Sequence, residues 1–139
     1  MREASWSDCL EAYSAMRVSP DRERAKSLIE TADERIRLVK DINKENCNFV
    51  FEDYYSSLLE LLQAIAALHG YKVVNHVCIG YYLRDVMGRE DLFLLFDDAR
   101  YKRNSLTYYG KRMDFETAKQ AIEKCKRLME YAKSKAAIR

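Results

Sequence analysis

Residues 49–70 read FVFEDYYSSLLELLQAIAALHG, and the fold turns on this run. Phe51, Tyr54, Tyr55, Leu58, Leu61, Leu62, Ile65 and Leu68 recur every three or four residues. That is the repeat of an α-helix and not the alternation of a strand. The apolar arc is wide, so the helix belongs at the centre of the molecule or at an interface. His69 and Gly70 close it. A glycine supplies the left-handed residue that ends many helices, and a histidine in the last turn suits the helix dipole.

The flanking segments extend the same pattern. NKENCN, 43–48, is a polar break before the central helix. Ahead of it, Ser19-Pro20 is a start signal, a capping hydroxyl followed by proline in the first turn. Ala25, Leu28, Ile29, Ala32, Ile36 and Val39 then predict a helix to about Asn43. Residues 3–17 read as a shorter amphipathic helix, with Trp6, Leu10, Tyr13 and Met16 on one side. After Gly70 the sequence predicts a helix from about Val73 to Met87, ended by Gly88, and another from Glu90 to about Tyr109, ended by Gly110. KRMD, 111–114, is a loop, and Asp114 caps a last helix on which Phe115, Ala118, Ile122, Cys125, Met129 and Ala132 align. No strand, repeat or linker is evident. With 4 glycines and 1 proline in 139 residues the chain has few breakers, which favours long helices. The expectation is a single domain over 1–139: all-α, an antiparallel four-helix up-and-down bundle with additional short helices, 3–17 being an extension.

Composition narrows the function. The net charge is +2, which by itself implies no nucleic-acid partner. Its distribution is uneven: from Arg100 onward there are twelve Lys and Arg against four Asp and Glu, and before it twelve against eighteen. This asymmetry creates a basic face unless the acidic helices fold across it. The cysteines, Cys9, Cys47, Cys78 and Cys125, make no CxxC pair and have no histidine at finger-like spacing, so no zinc site is expected. No leader and no membrane-spanning run is read, so the expected setting is cytoplasmic, with reduced and mostly buried thiols.

The helix of 90–109 carries two stripes. Leu92, Leu95, Phe96, Ala99 and Leu106 form a core side. Asp97, Tyr101, Asn104 and Tyr108 form a polar-aromatic side, flanked by Arg100, Arg103 and Thr107. Arginine pairs are often only solvated, or paired with neighbouring acids such as Asp97 and Asp98. Against that plain reading, asparagine is a poor residue in mid-helix and suggests a specific hydrogen bond. Arginine offers a planar donor fork suited to phosphate, and Tyr108 adds a hydroxyl and a stacking face. His76, in VVNH, is read either as a structural hydrogen-bonding group or as a member of the same site. Asp97-Asp98 alone makes no magnesium site. Tyr54-Tyr55 and Tyr81-Tyr82 read as core or interface aromatics, and Lys111-Arg112 as a solvated loop.

Arg103-Asn104, followed by an aromatic where histidine is often found, resembles the signature of HEPN domains (higher eukaryotes and prokaryotes nucleotide-binding). YYSSLLELLQAIAALHGYKVVNH, 54–76, resembles the family's central helix, Gly-Tyr-Lys turn and following histidine. MDFETAKQAIEKCKRLMEYAK, 113–133, resembles its last helix. The resemblance spans about 49–135. It implies a helical bundle that forms a homodimer and binds a nucleotide or RNA. It also implies either a metal-independent endoribonuclease or a non-catalytic partner of a nucleotidyltransferase, as in a toxin-antitoxin pair. The family signature maps onto Arg103 and Asn104; with the stripe residues above, the candidate ligand-binding residues are Arg100, Arg103, Asn104, Tyr108 and His76, and the candidate catalytic residues are Arg103 and Tyr108. No metal or other cofactor is expected. Tyr108 stands where the nuclease signature has histidine, and an ordinary tyrosine, with a pKa near 10, is a poor proton shuttle at neutral pH. The sequence therefore leans away from an enzyme and towards a binding protein.

Overall fold

The computed structural model describes residues 2–137. Its elements, in chain order, are α1 (Trp6–Glu11), β1 (Ala15–Arg17), α2 (Arg22–Leu38), α3 (Cys47–Leu68), β2 (Tyr71–Val73), α4 (His76–Tyr81), α5 (Glu90–Tyr109) and α6 (Phe115–Lys135). A π-helical turn, Tyr82–Val86, continues α4. Among the described residues the chain is mostly helical with one small two-stranded sheet.

The quoted apolar run forms α3, and α3 is the centre. Phe51, Tyr55, Leu58, Leu61 and Ile65 are each at most 1% exposed. Helices α2 and α6 pack on α3, and α5 packs on α6 and α4. The wide apolar arc of α3 is thus covered from more than one direction, as its sequence required. Arg35 of α2 reaches Glu60 of α3 through two hydrogen bonds, 3.0 and 3.2 Å. The Ser57 hydroxyl donates to the carbonyl of Ala32 at 3.2 Å, which satisfies a buried polar group at the same interface. The NKENCN break is a turn stapled by its asparagines. Asn43 Oδ1 accepts from the amides of Glu45 and Asn46, and Asn46 Oδ1 accepts from the amide of Asn43.

Asn48, 6% exposed, clasps two distant segments. Its Nδ2 donates to the carbonyl of Met113 at 3.0 Å, and its Oδ1 accepts from the Met113 amide at 2.8 Å. One carboxamide so joins the first turn of α3 to the loop between α5 and α6. Asp114 follows and caps α6, accepting from the Thr117 amide at 2.8 Å.

The N-terminal third differs from its sequence reading. The segment 3–17 is not one helix. Helix α1 stops at Glu11, Tyr13 takes a left-handed φ of 58°, and Ala15–Arg17 become a strand. β1 pairs antiparallel with β2, in the register Ala15–Val73, Met16–Lys72 and Arg17–Tyr71. The ribbon takes Ala15–Arg17 from the first predicted helix and Val73 from the start of the predicted helix of 73–87. Gly70 permits the turn into β2: its φ is +83°, and a Cβ there would stand 2.8 Å from the carbonyl oxygen of Val18. Helix α2 begins after Asp21, whose side chain accepts from the Arg24 amide, and not at Ser19-Pro20. It ends at Leu38 and not at Asn43. The predicted helix of 73–87 is β2, then α4 capped by Asn75, then the π-turn. Helices α5 and α6 begin where their sequence signals place them.

The thiols are the second correction. Cys9 of α1 and Cys78 of α4 form a disulfide with Cα atoms 6.0 Å apart, so these two are not reduced thiols. Cys47 and Cys125 are free and buried. Trp6 packs edge-on to Tyr71 and Tyr82, with centroids 5.2 and 4.9 Å away, and seals the same region. His69 is the C-cap residue of α3, and its ring also hydrogen-bonds the Tyr82 hydroxyl. No helix among the described residues is long and apolar enough to cross a membrane.

Candidate functional site

The site is built where the C-terminal half of α5 passes the first turn of α4. Phe96 of α5 is fully buried and stacks on Tyr55 of α3, with centroids 6.1 Å apart and planes 19° apart. Ala99 is buried one turn later, so Leu92, Phe96 and Ala99 of the predicted core stripe are buried, whereas Leu95 and Leu106 are only partly so. This anchoring turns Arg100, Arg103, Asn104 and Tyr108 towards α4. On the other side, the Asn75 side chain accepts from the Val77 amide at 3.1 Å and starts α4, which sets His76 at the rim. A cleft of about 570 Å³ lies between them. All five residues singled out in the sequence, His76, Arg100, Arg103, Asn104 and Tyr108, line it.

Arg103 is partly buried and has no carboxylate partner among the described residues. Its Nη1 donates to Asn104 Oδ1 at 3.3 Å, and its guanidinium lies 6.0 Å from the Tyr55 ring and 5.8 Å from the Tyr108 ring. Asn104 therefore has the specific hydrogen bond that its mid-helix position suggests. Arg100 is already engaged: its Nε and Nη2 donate to Asp97 Oδ1 at 3.1 and 2.8 Å. The plain reading of Asp97-Asp98 holds for these acids. Asp98 meets Lys102 at 2.8 Å and Lys124 of α6 at 3.5 Å. Among the described residues no three acidic, imidazole or thiol groups gather as a metal would require.

His76 Nδ1 is 3.5 Å from the Tyr55 hydroxyl. Burial, with help from the charges of Arg103 and then Arg100, pushes the imidazole below the ordinary histidine range. It is a neutral base at physiological pH, with guanidinium groups across the cleft from it. Burial pushes the Tyr55 hydroxyl upward, so that group stays protonated. Tyr108 is different: it is 67% exposed and presents a ring face at the cleft edge. Tyr55, which reads in sequence as a core or interface aromatic, underlies both His76 and Arg103. Its neighbours in sequence carry no signal of that role.

The remaining sequence candidates lie apart from the cleft. Arg112 sits over the Phe49 ring at 6.0 Å. Cys125 is core, its thiol pushed up to about 12 by burial. The C-terminal cations are partly tied to acids: Lys133 meets Asp33 at 2.7 Å and Lys126 meets Glu123 at 3.4 Å.

Chemically, the cleft offers an anion site with an aromatic rim. A half-buried guanidinium without a counter-charge favours a negatively charged guest, and its planar fork fits two oxygens of a phosphate. A neutral imidazole beside it can accept a proton or donate one hydrogen bond. No protein-family model matches the chain, and neither the curated proteins nor the solved structures contain a match to it.

Proposed function

We propose that this chain is a HEPN-like antiparallel helical bundle that works as a homodimer and binds the phosphate of a nucleotide or RNA between Arg103 and Arg100. The observation that carries the reading is the convergence of His76, Arg100, Arg103, Asn104 and Tyr108 on one cleft. These residues come from two segments more than twenty positions apart, and only folding brings them together. Arg103 supplies the unneutralised charge, Asn104 orients it, and Tyr108 offers a stacking face to a base. Stacking of that kind contributes about 1–3 kcal/mol per base.

A second reading, a metal-independent endoribonuclease, is favoured by one feature. Tyr108 replaces the histidine of the nuclease signature, yet His76 places an imidazole in the same cleft. General acid–base help from a positioned imidazole is worth roughly 10²–10⁴ in rate. The two readings separate experimentally. Thermal unfolding is followed with mononucleotides and with oligouridylate, for wild type and Arg103→Ala, together with the oligomeric state by light scattering. The binding reading expects stabilisation by ligand that disappears in Arg103→Ala while the dimer persists. RNA cleavage lost in both Arg103→Ala and His76→Ala establishes the nuclease. No stabilisation by any nucleotide or RNA leaves the chain as an interaction module, such as the companion of a nucleotidyltransferase.

A further inference from the structure

Helix α4 is the shorter wall of the cleft. It has six residues, under two turns, and runs into a π-turn, a winding seen mostly as isolated single turns. It packs on α5, where Tyr81 stacks on Phe93 with centroids 5.8 Å apart, and the N-terminal segment ties it from another side. The Tyr81 hydroxyl donates to the carbonyl of Glu3 at 3.0 Å, and Arg84 Nη2 donates to that of Ala4 at 2.9 Å. The Trp6 amide donates to Asp85 at 2.8 Å. All three ties fall late in α4 or in the π-turn. The tie nearest the cleft is covalent: Cys78, two residues after His76, is bonded to Cys9, and both are fully buried. The N-terminal segment also walls an adjoining cavity. This second cavity, of about 310 Å³, is lined by Arg2, Glu3 and Tyr81, and shares Asn75, Val77 and Arg100 with the first.

We infer that the Cys9–Cys78 disulfide positions His76 and the first turn of α4 against Arg103, so that the cleft is assembled in the disulfide form and loosened in the dithiol form. The inference rests on this cleft being the ligand site. The switch is a two-electron exchange. A small dithiol attacks one sulfur as its thiolate, forms a mixed disulfide, and closes on itself as a cyclic disulfide. Cys9 and Cys78 each leave as a thiol, so two electrons and two protons pass to the protein. The charged and titratable groups facing His76 are Tyr55 from α3 and Arg100 and Arg103 from α5. Released from them, the imidazole returns towards its ordinary titration range.

The test uses the full chain before and after dithiothreitol, with alkylation to count thiols. The histidines are followed by NMR titration, helicity by circular dichroism, and oligouridylate binding by fluorescence anisotropy. Two thiols label in denaturant without reductant, and four with it. Reduction moves the His76 midpoint upward, leaves the helical signal, and weakens oligouridylate about tenfold, the scale of one lost charge-assisted contact. Cys9→Ala/Cys78→Ala reproduces the reduced protein, whereas Cys47→Ala/Cys125→Ala, which keeps the disulfide and puts no hydroxyl in the core, responds to dithiothreitol as wild type does. Four thiols without reductant overturn the inference, and so does an unmoved His76 once the pair is shown to be reduced. Collapse of the helical signal on reduction also overturns it, because the bond then holds the whole fold. Unchanged affinity in a protein that does bind overturns it too. If His76 moves but neither redox state binds oligouridylate or a nucleotide, the positioning role stands and the proposed function falls.

Discussion

Asn48→Ala removes the clasp between α3 and the loop before α6. Two hydrogen bonds go, 3.0 and 2.8 Å long, and the amide and carbonyl of Met113 lose their partner in a site where Asn48 is 6% exposed. A hydrogen bond contributes about 0.5–1.5 kcal/mol net, and a buried group left unpaired costs about 1–3 kcal/mol. The expected loss is about 2–4 kcal/mol, large against a total stability of roughly 5–15 kcal/mol. In urea denaturation this lowers the midpoint by about 1–2 M with the slope unchanged. Asn48→Asp sharpens the test. A carboxylate still accepts from the Met113 amide but cannot donate to its carbonyl, and the two oxygens repel. The folded state then favours the protonated acid, so its pKa lies above the unfolded value. A folded state that binds the extra proton gains stability as pH falls, so the deficit of Asn48→Asp is largest at neutral pH and shrinks in acid. A loss under about 0.5 kcal/mol for Asn48→Ala, or an Asn48→Asp protein as stable as wild type at neutral pH, refutes the clasp.

Four further outcomes follow from the geometry. Gly70→Ala costs about 1–2 kcal/mol for its left-handed φ alone, and more because the new Cβ meets the Val18 carbonyl, which a lower thermal midpoint reports. His76 is held below the ordinary histidine range, so its contribution to stability is complete above the unfolded value and is lost as pH falls through the folded one; His76→Gln should flatten the stability profile on the acid side of neutrality. Asp98 has burial raising its carboxyl while Lys102 and Lys124 lower it further, for a net position below the ordinary range; on this partly exposed site Asp98→Asn costs under about 1 kcal/mol in chemical denaturation, and a larger loss would show that the α5–α6 ion pairs are stronger than surface pairs. Reduction of Cys9–Cys78 frees a 69-residue loop in the unfolded chain, which on the chain-entropy account removes up to about 4 kcal/mol, read as a drop in the urea midpoint.

The long helices were legible because each is decided locally. The apolar repeat of α3, the Asp114 cap of α6, and Gly110 with its φ of 64° at the end of α5 are all signals within a few residues. The ribbon was not legible. Three-residue strands are too short to show an alternation, and what makes Ala15–Arg17 a strand is Tyr71–Val73, more than fifty positions away. The same holds for the Cys9–Cys78 bond, since spacing cannot say which of four cysteines meet. In the cleft, Asn104 and Tyr108 were readable on the polar-aromatic stripe of one helix, with Arg100 and Arg103 along its flank. The approach of His76 depended on the turn at Asn75, and the place of Tyr55 beneath them on the packing of Phe96, and both are tertiary facts.

The separation of Cys9 from its partner also has a consequence in time. At about 5–20 residues per second, the sequence separation of 69 from Cys9 to Cys78 takes roughly 3–14 s to synthesise. Through that interval the N-terminal segment has neither its strand partner nor its sulfur partner, and the next cysteine to emerge is Cys47. A nascent chain in an oxidising milieu meets the wrong thiol first. Correct pairing then depends on thiol–disulfide exchange undoing an early Cys9–Cys47 bond, because the loop that clasps the first turn of α3 emerges only after Cys78.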